Sequence, residues 1–369
     1  MTRPIIIVVV GTGIAGASTA YALARKGVRV SMLDAGYPGQ ATAAGAGIIQ
    51  PWSSTADGAF YELYAAGADY YPTLIGRLAA SGVQEIGYRQ CGALVVNRDP
   101  AVLDQVAARL AARRESAPQM GTVSRLDNAE LRRLFPPLAA ELTGLHISGG
   151  ARVDGRTLRD ALLAGARHHG ARSIAGTARL AQSAPSKAVR VETDDGIVPG
   201  DAVVAAAGAW TNALLAPLGV RLPIEPQKGQ ITHLRLAGVD TSHWPSVHPV
   251  ASHYLVAFDD SRIVVGATRE TGSGFDTTVT AGGQHRILAD ALDIAPGLAG
   301  AAVVETRVGL RPLTDNELPS IGAIPEVPGL FVNAGFGAAG LTMGPYVGEM
   351  LSDLVLANVL ADGTGNRRP

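Results

Sequence analysis

Residues 5–36 read IIIVVVGTGIAGASTAYALARKGVRVSMLDAG. The apolar run from Pro4 to Val10 has the length and β-branched content of a buried parallel strand. It enters the turn Gly11-Thr12-Gly13-Ile14-Ala15-Gly16, and small residues then carry a helix over 14–26. Gly27 suits the position after a helix end. Val28 to Leu33 makes a second strand, which delivers Asp34. Gly11 permits the tight turn, Gly13 lets backbone approach a pyrophosphate, and Gly16 lets the helix pack closely on the sheet. The helix N-terminus offers unpaired N–H groups and partial positive charge to phosphates. Asp34, about twenty residues on, can accept from ribose hydroxyls. Strand, glycine turn, helix, strand and acid together read as a dinucleotide site. The acid argues against a 2′-phosphorylated cofactor and leaves NAD and FAD both open.

The chain has 369 residues, enough for two domains or one large α/β unit with an inserted lobe. With 47% hydrophobic and 17% charged residues, it can build a sizeable core. The formal net charge is −1 and no basic run is interleaved with aromatics, so nucleic acid is not an expected partner. Cys91 is the only cysteine, which excludes an internal disulfide and argues against a cysteine-built metal site. No metal is expected, and a reducing, cytoplasmic setting is. The apolar start leads into GTGIAG rather than a signal-cleavage site. No stretch is apolar for the length of a membrane span, and the helix pattern from Leu341 to Leu360 is interrupted by Pro345, Glu349 and Asp353.

Further along, Ala59 to Ser81 reads as helix and Gly92 to Asn97 as strand. Asp127 and Glu130 have capping-box spacing ahead of a short helix, and Asp154 heads a helix through His169. Arg172 to Val198 reads as a meander of short strands with a hairpin signal at Asp195-Gly196. Asp201 to Ala207 returns to buried strand. Gln230 to Gly309 is strand-rich with one helix near Gly283 to Asp293. A strand at Leu330 to Asn333, a glycine turn and a last helix close the chain. This order predicts an α/β fold carrying an inserted β-rich lobe.

Five stretches narrow the function: QATAAGAGIIQPWS, GARVDGRTLRDALLAGARHHGAR, VVAAAGAWTNALLAPLGVRLPIEPQKGQ, IVVGATRE and GLRPLTDNELPSIGAIPEVPGLFVNAGFGAAGLTMGP. In these, in order and over nearly its full length, the chain resembles the glycine oxidase, D-amino-acid oxidase and sarcosine oxidase family of FAD enzymes. The resemblance implies a Rossmann-like FAD-binding domain (1–85, 146–225 and 318–362), a substrate or cap domain (86–145 and 226–317) and a flexible tail (363–369). It places Ile14 and Ala15 at the pyrophosphate, Asp34 and Ala35 at the ribose, and Arg179 at the adenine side through its backbone. Thr42, Ala43, Gly45, Ala46 and Gly47 follow the ribityl chain, and Gly208 lies against the cofactor. Gly337, Gly340, Leu341, Thr342 and Met343 meet the far edge of the flavin ring. A helix N-terminus there favours the negative charge of reduced flavin. Relatives that bind flavin covalently use a cysteine after the segment that here reads GLRPLT. None stands there, so FAD is expected to be non-covalent.

The same resemblance places Arg311 at the substrate carboxylate, within reach of the cofactor too. A guanidinium fork suits a planar carboxylate. The alternative is a structural ion pair with Asp315 or Glu317. Tyr254 falls where glycine oxidases support that carboxylate; the plain alternative is a core aromatic. Arg269 faces the pocket and Gln50 reaches the flavin face. His248 and His253 lie nearby in sequence, but a lone histidine is more often structural, and no general base is assigned because flavin carries the chemistry. Phe336 and Ala338 depart from a histidine and an arginine of relatives, which points away from glycine toward a larger or less polar substrate. The expected activity is oxidation of the C–N bond of an amino acid or secondary amine, by hydride transfer to flavin N5 and hydrolysis of the imine. Oxygen or another acceptor takes the electrons. A dehydrogenase feeding a quinone or carrier, an NAD-linked enzyme and a flavin protein without turnover are the alternatives, and the oligomeric state is open.

Overall fold

A computed structural model describes residues 4–184 and 188–365. The opening motif forms β1 (Ile6–Val10), helix α1 (Ile14–Arg25) and β2 (Arg29–Asp34). They join a six-stranded sheet with β3 (Arg172–Ala175), β4 (Ala202–Ala205), β5 (Ser320–Ala323) and β6 (Leu330–Ala334), in the order β5-β6-β4-β1-β2-β3. All neighbours run parallel except β5 with β6. β1 is apolar throughout because both of its faces are covered. Ile7 and Val9 pack with α1, α2 (Gly58–Ala80) and α3 (Gly155–His168). Val8 and Val10 pack instead on a three-stranded antiparallel sheet carrying Leu180, Val191 and Val198.

That small sheet corrects part of the expected meander. Only Arg179–Ala181, Arg190–Thr193 and Gly196–Val198 form it, with Thr193 opposite Gly196 at the turn. Residues 172–175 belong to the parallel sheet as its edge strand β3, because α3 returns the chain beside β2. The two predicted caps are present: Asp127 and Glu130 form a capping box, and Asp154 accepts from the amides of Arg156 and Thr157.

The last helix, α4 (Gly340–Gly365), is continuous through Pro345. Proline leaves the carbonyl four residues earlier without its helical donor. That carbonyl is Leu341 O, and the Tyr71 hydroxyl donates to it at 2.6 Å. Glu349 is also built in, bonded to Arg25 of α1 at 2.7 Å and to Arg77 of α2 at 2.9 Å. The expected tail at 363–369 overlaps the end of α4, and its residues 366–369 lie outside the described ones.

The inserted strands build a nine-stranded sheet. Its long strand Ile224–Arg235 pairs antiparallel with Ala302–Thr314 along its length and with Arg262–Gly266 on the other side. Tyr254–Ala257, Ser246–Pro249 and Ala93–Asn97 follow. The helices Pro100–Arg113 and Ala281–Ile294 cover this part of the chain.

Candidate active site

A cavity of about 890 Å³ runs from the glycine turn and the ends of β1 and β2 to the long strands of the nine-stranded sheet. At its first end Gly11 has φ +97°, and a Cβ there would stand 2.3 Å from the Ala206 carbonyl oxygen. Only glycine fits this turn. Gly13, Ile14 and Ala15 line the cavity, and the Ile14 amide donates to Thr42 Oγ1 at 2.9 Å. Asp34 accepts from the Thr12 amide (2.7 Å) and hydroxyl (2.6 Å) on one oxygen, and from the Gly36 amide (2.7 Å) and Gln40 (2.9 Å) on the other. Burial pushes this carboxyl upward, but the bonds from Thr12 and Gly36 outweigh it and hold the group below its usual range. Ala35, Arg179 and Gly208 also line this end, while the Arg179 guanidinium pairs with Asp194 at 2.9 Å.

Along the middle, Gly45, Ala46 and Gly47 face Gly337, Gly340 and Leu341. Four expected residues do not line the cavity. Gly16 lies beneath the turn, where a Cβ would come within 1.8 Å of the Gly11 carbonyl oxygen. Ala43 offers its carbonyl to Arg307 at 3.3 Å. The Thr342 hydroxyl donates to the Ile48 carbonyl at 3.0 Å, and Met343 packs in an apolar cluster with Phe336 and Val347. Successive helical residues turn by about 100°, so Gly340 and Leu341 face the cavity while the next two rotate into the core.

At the far end, strand pairing sets Arg311 opposite Gln227 and Gly309 opposite Gly229. Arg311 donates to the Thr268 carbonyl at 3.1 Å and reaches Gln227 Oε1 at 3.4 Å. A Cβ on Gly229 would lie 2.4 Å from its guanidinium nitrogens, so the arginine lies across bare backbone. Among the described residues Arg311 has no ion-pair partner, neither Asp315 nor Glu317. Burial lowers the Arg311 pKa; Tyr254 opposes this and Arg269 adds to it. Burial raises the Tyr254 phenol, and the two arginines draw it back. Tyr254 and Arg269 both line the cavity, as do Phe336 and Ala338. Gln50 lines it as well, bonded to Ser53 at 3.0 Å.

Both histidines noted in the sequence line the cavity. His248 Nε2 meets Ser246 Oγ at 2.8 Å, and burial presses its pKa down to about 4. His253 has a buried Nε2 without a partner, and its pKa is lowered, chiefly by burial. Sequence reasoning missed Arg109, which lines the cavity and donates to the Ser53 carbonyl at 3.1 Å. It sits on the helix Pro100–Arg113 with no motif around it, so only packing reveals it. Gly229 was equally silent. Among the described residues no three His, Cys, Asp or Glu side chains gather to hold a metal ion.

The model of the DAO family, described as FAD dependent oxidoreductase, matches residues 7–354. The chain belongs to this family. It is 48% identical to iminodiacetate oxidase from Chelativorans sp. BNC1, with a TM-score of 0.92 and 95% of each chain covered. Glycine oxidase from Geobacillus kaustophilus is 28% identical at TM-score 0.82, covering 97% of this chain and 96% of that one. The glycine oxidase of Pseudomonas putida is 32% identical over 362 residues, 95% of this chain and 94% of that relative.

As a member of the DAO family the protein is an FAD-dependent oxidoreductase, and its residues suit that cofactor. The cavity combines bare backbone at Gly11 and Gly13, an ionised acceptor at Asp34 and the first turn of α4 at Gly340. The Thr342 and Met343 amides donate to the Ala339 carbonyl at 3.1 and 3.0 Å, and the start of the helix favours negative charge. No helix among the described residues is long and apolar enough to cross a membrane.

Proposed function

We propose that this family member oxidises the CH–N bond of a carboxylated amine or amino acid. The observation that carries this is Arg311, a half-buried guanidinium without an ion-pair partner among the described residues, beside Tyr254 at one end of the cofactor cavity. FAD, when bound, would supply the acceptor for a hydride from the substrate carbon next to nitrogen. Asp34, at the end of β2, would meet the ribose, Gly13 and Ala15 would border the pyrophosphate, and Gly340 and Leu341 would border the flavin ring. Arg311 grips the substrate carboxylate through its fork, and Tyr254 donates to the same group. Fixing that end orients the reacting C–H and removes the freedom that slows an unbound encounter. The apolar walls at Phe336 and Leu341 keep water from the reacting bond. Two electrons would leave with the hydride, the amine proton would pass to water, and a second water would split the imine into a carbonyl compound and an amine.

Anaerobic mixing with glycine, sarcosine, proline, D-amino acids and iminodiacetate tests this reading. Bleaching of the visible flavin bands by at least one is expected. A flavin left oxidised by the whole panel would replace the enzyme with a flavin protein without turnover. A second reading concerns the acceptor. Sarcosine-oxidase-like members of the family use a lysine near the flavin to activate oxygen; here no lysine lines the cavity among the described residues, and the buried Lys228 is committed to Asp276 at 2.6 Å. This favours a quinone or carrier over oxygen, and slow reoxidation in air is its expected signature. A cytoplasmic setting accords with the lone cysteine.

A further inference from the structure

A second cavity of about 400 Å³ lies beside the cofactor cavity. The two share Ser252, Ala267 and Arg269, so the Arg269 side chain stands at the junction. Arg269 is exposed and has neither a hydrogen-bond nor an ion-pair partner among the described residues. Its neighbour Glu270 does not neutralise it. One Glu270 oxygen accepts from Thr268 at 2.6 Å and Gln230 at 2.7 Å, and the other faces Lys228 at 3.6 Å. Arg286, across the side cavity, makes only a 3.7 Å approach to Asp290.

Arg269 and Arg311 therefore form a pair of cations with no ion-pair partner among the described residues, one exposed at the mouth and one half-buried; Arg269 weighs against the charge of Arg311, and the smaller pull of Glu270 opposes it. Like charges so placed repel, and a ligand carrying two separated anions relieves both. A ligand with one carboxylate relieves only one. Ala338, at the loop before α4, adds no third cation.

Resting on the amine-oxidation reading above, we infer that Arg269 binds a second substrate carboxylate, so that the preferred substrate is a secondary amine with a carboxylate on each arm. One carboxylate sits on Arg311 and Tyr254 and the other on Arg269, with the nitrogen between them. For iminodiacetate, loss of the hydride and the amine proton gives an imine that water splits into glyoxylate and glycine.

Iminodiacetate and sarcosine differ in one arm, a carboxymethyl against a methyl, so their ratio of kcat/KM isolates the second carboxylate. The native holoenzyme is expected to favour iminodiacetate by roughly ten- to a hundredfold, the range of a hydrogen bond to a charged group. Arg269→Ala should collapse that ratio, and Arg269→Lys should restore part of it. A titration without turnover gives an independent reading. Oxydiacetate, with ether oxygen in place of nitrogen, should perturb the flavin absorbance at lower concentration than methoxyacetate, and Arg269→Ala should erase the difference. Equal binding of the two ethers to the native protein, or a substrate ratio unmoved by Arg269→Ala, would overturn the inference. If neither amine reduces the flavin, the proposed reaction fails, while the ether titration still decides the role of Arg269.

Discussion

Arg311 is held by backbone rather than by an opposite charge. Its guanidinium donates to the Thr268 carbonyl and lies over Gly229, leaving further donors for a ligand. Replacing it by alanine should raise KM for carboxylated substrates at least a hundredfold while FAD stays bound, as read by steady-state kinetics and the flavin spectrum. Gly229→Ala should imitate a milder version, about tenfold, because the new Cβ forces the fork aside. The histidines make a different prediction. His233 and His248 both have pKa values pressed to about 4 from 6.5, by burial first and, for His233, by Arg307 and Arg262 as well. Between those values the unfolded chain takes up protons that the folded chain refuses. Their contribution is therefore complete above about 6.5 and is lost as pH falls toward 4. Urea midpoints should drop across that window, and His248→Asn should flatten the slope; identical slopes for variant and native protein would refute this.

At the scale of elements, α4 depends on a partner outside itself. Pro345 deprives the Leu341 carbonyl of its helical donor, and Tyr71 of α2 supplies the replacement. Tyr71→Phe keeps the ring, which stacks on Tyr88 at 5.1 Å, and removes only the hydroxyl. The unpaired carbonyl should cost about 1–3 kcal/mol, visible as a lower urea midpoint. Because Leu341 lines the cavity, weaker FAD retention should accompany it. The proline itself was plain in the sequence; its compensation was not. A bond between residues 71 and 341 leaves no local pattern, whereas the capping box at Asp127 and the N-cap at Asp154 join residues two or three apart and were readable.

At the scale of the whole molecule, one cavity joins the six-stranded sheet to the nine-stranded one. Cys91 does not line it, and burial pushes the Cys91 thiol up, away from the reactive thiolate. Acid or detergent denaturation followed by filtration should therefore release all FAD into the filtrate; flavin retained on the protein would contradict this. The same assembly explains why some expected site residues do not line the cavity. Thr342 and Met343 follow cavity residues by one or two positions, yet helical rotation buries them. Arg109 comes from a helix of the inserted part and joins the site only because that part folds back over Gln50 and Ser53.

By itself the sequence determined the strand–turn–helix that grips a dinucleotide, the acid at the end of β2, the capped helices and the order of α/β and β-rich segments. Each rests on contacts between residues near in the chain, where spacing and geometry are the same thing. Tertiary structure alone decided that Arg311 crosses Gly229, that Arg269 stands unpaired between two cavities, and that Tyr71 completes α4. Those depend on strand register and on helices meeting from distant parts of the chain, and no local spacing encodes either.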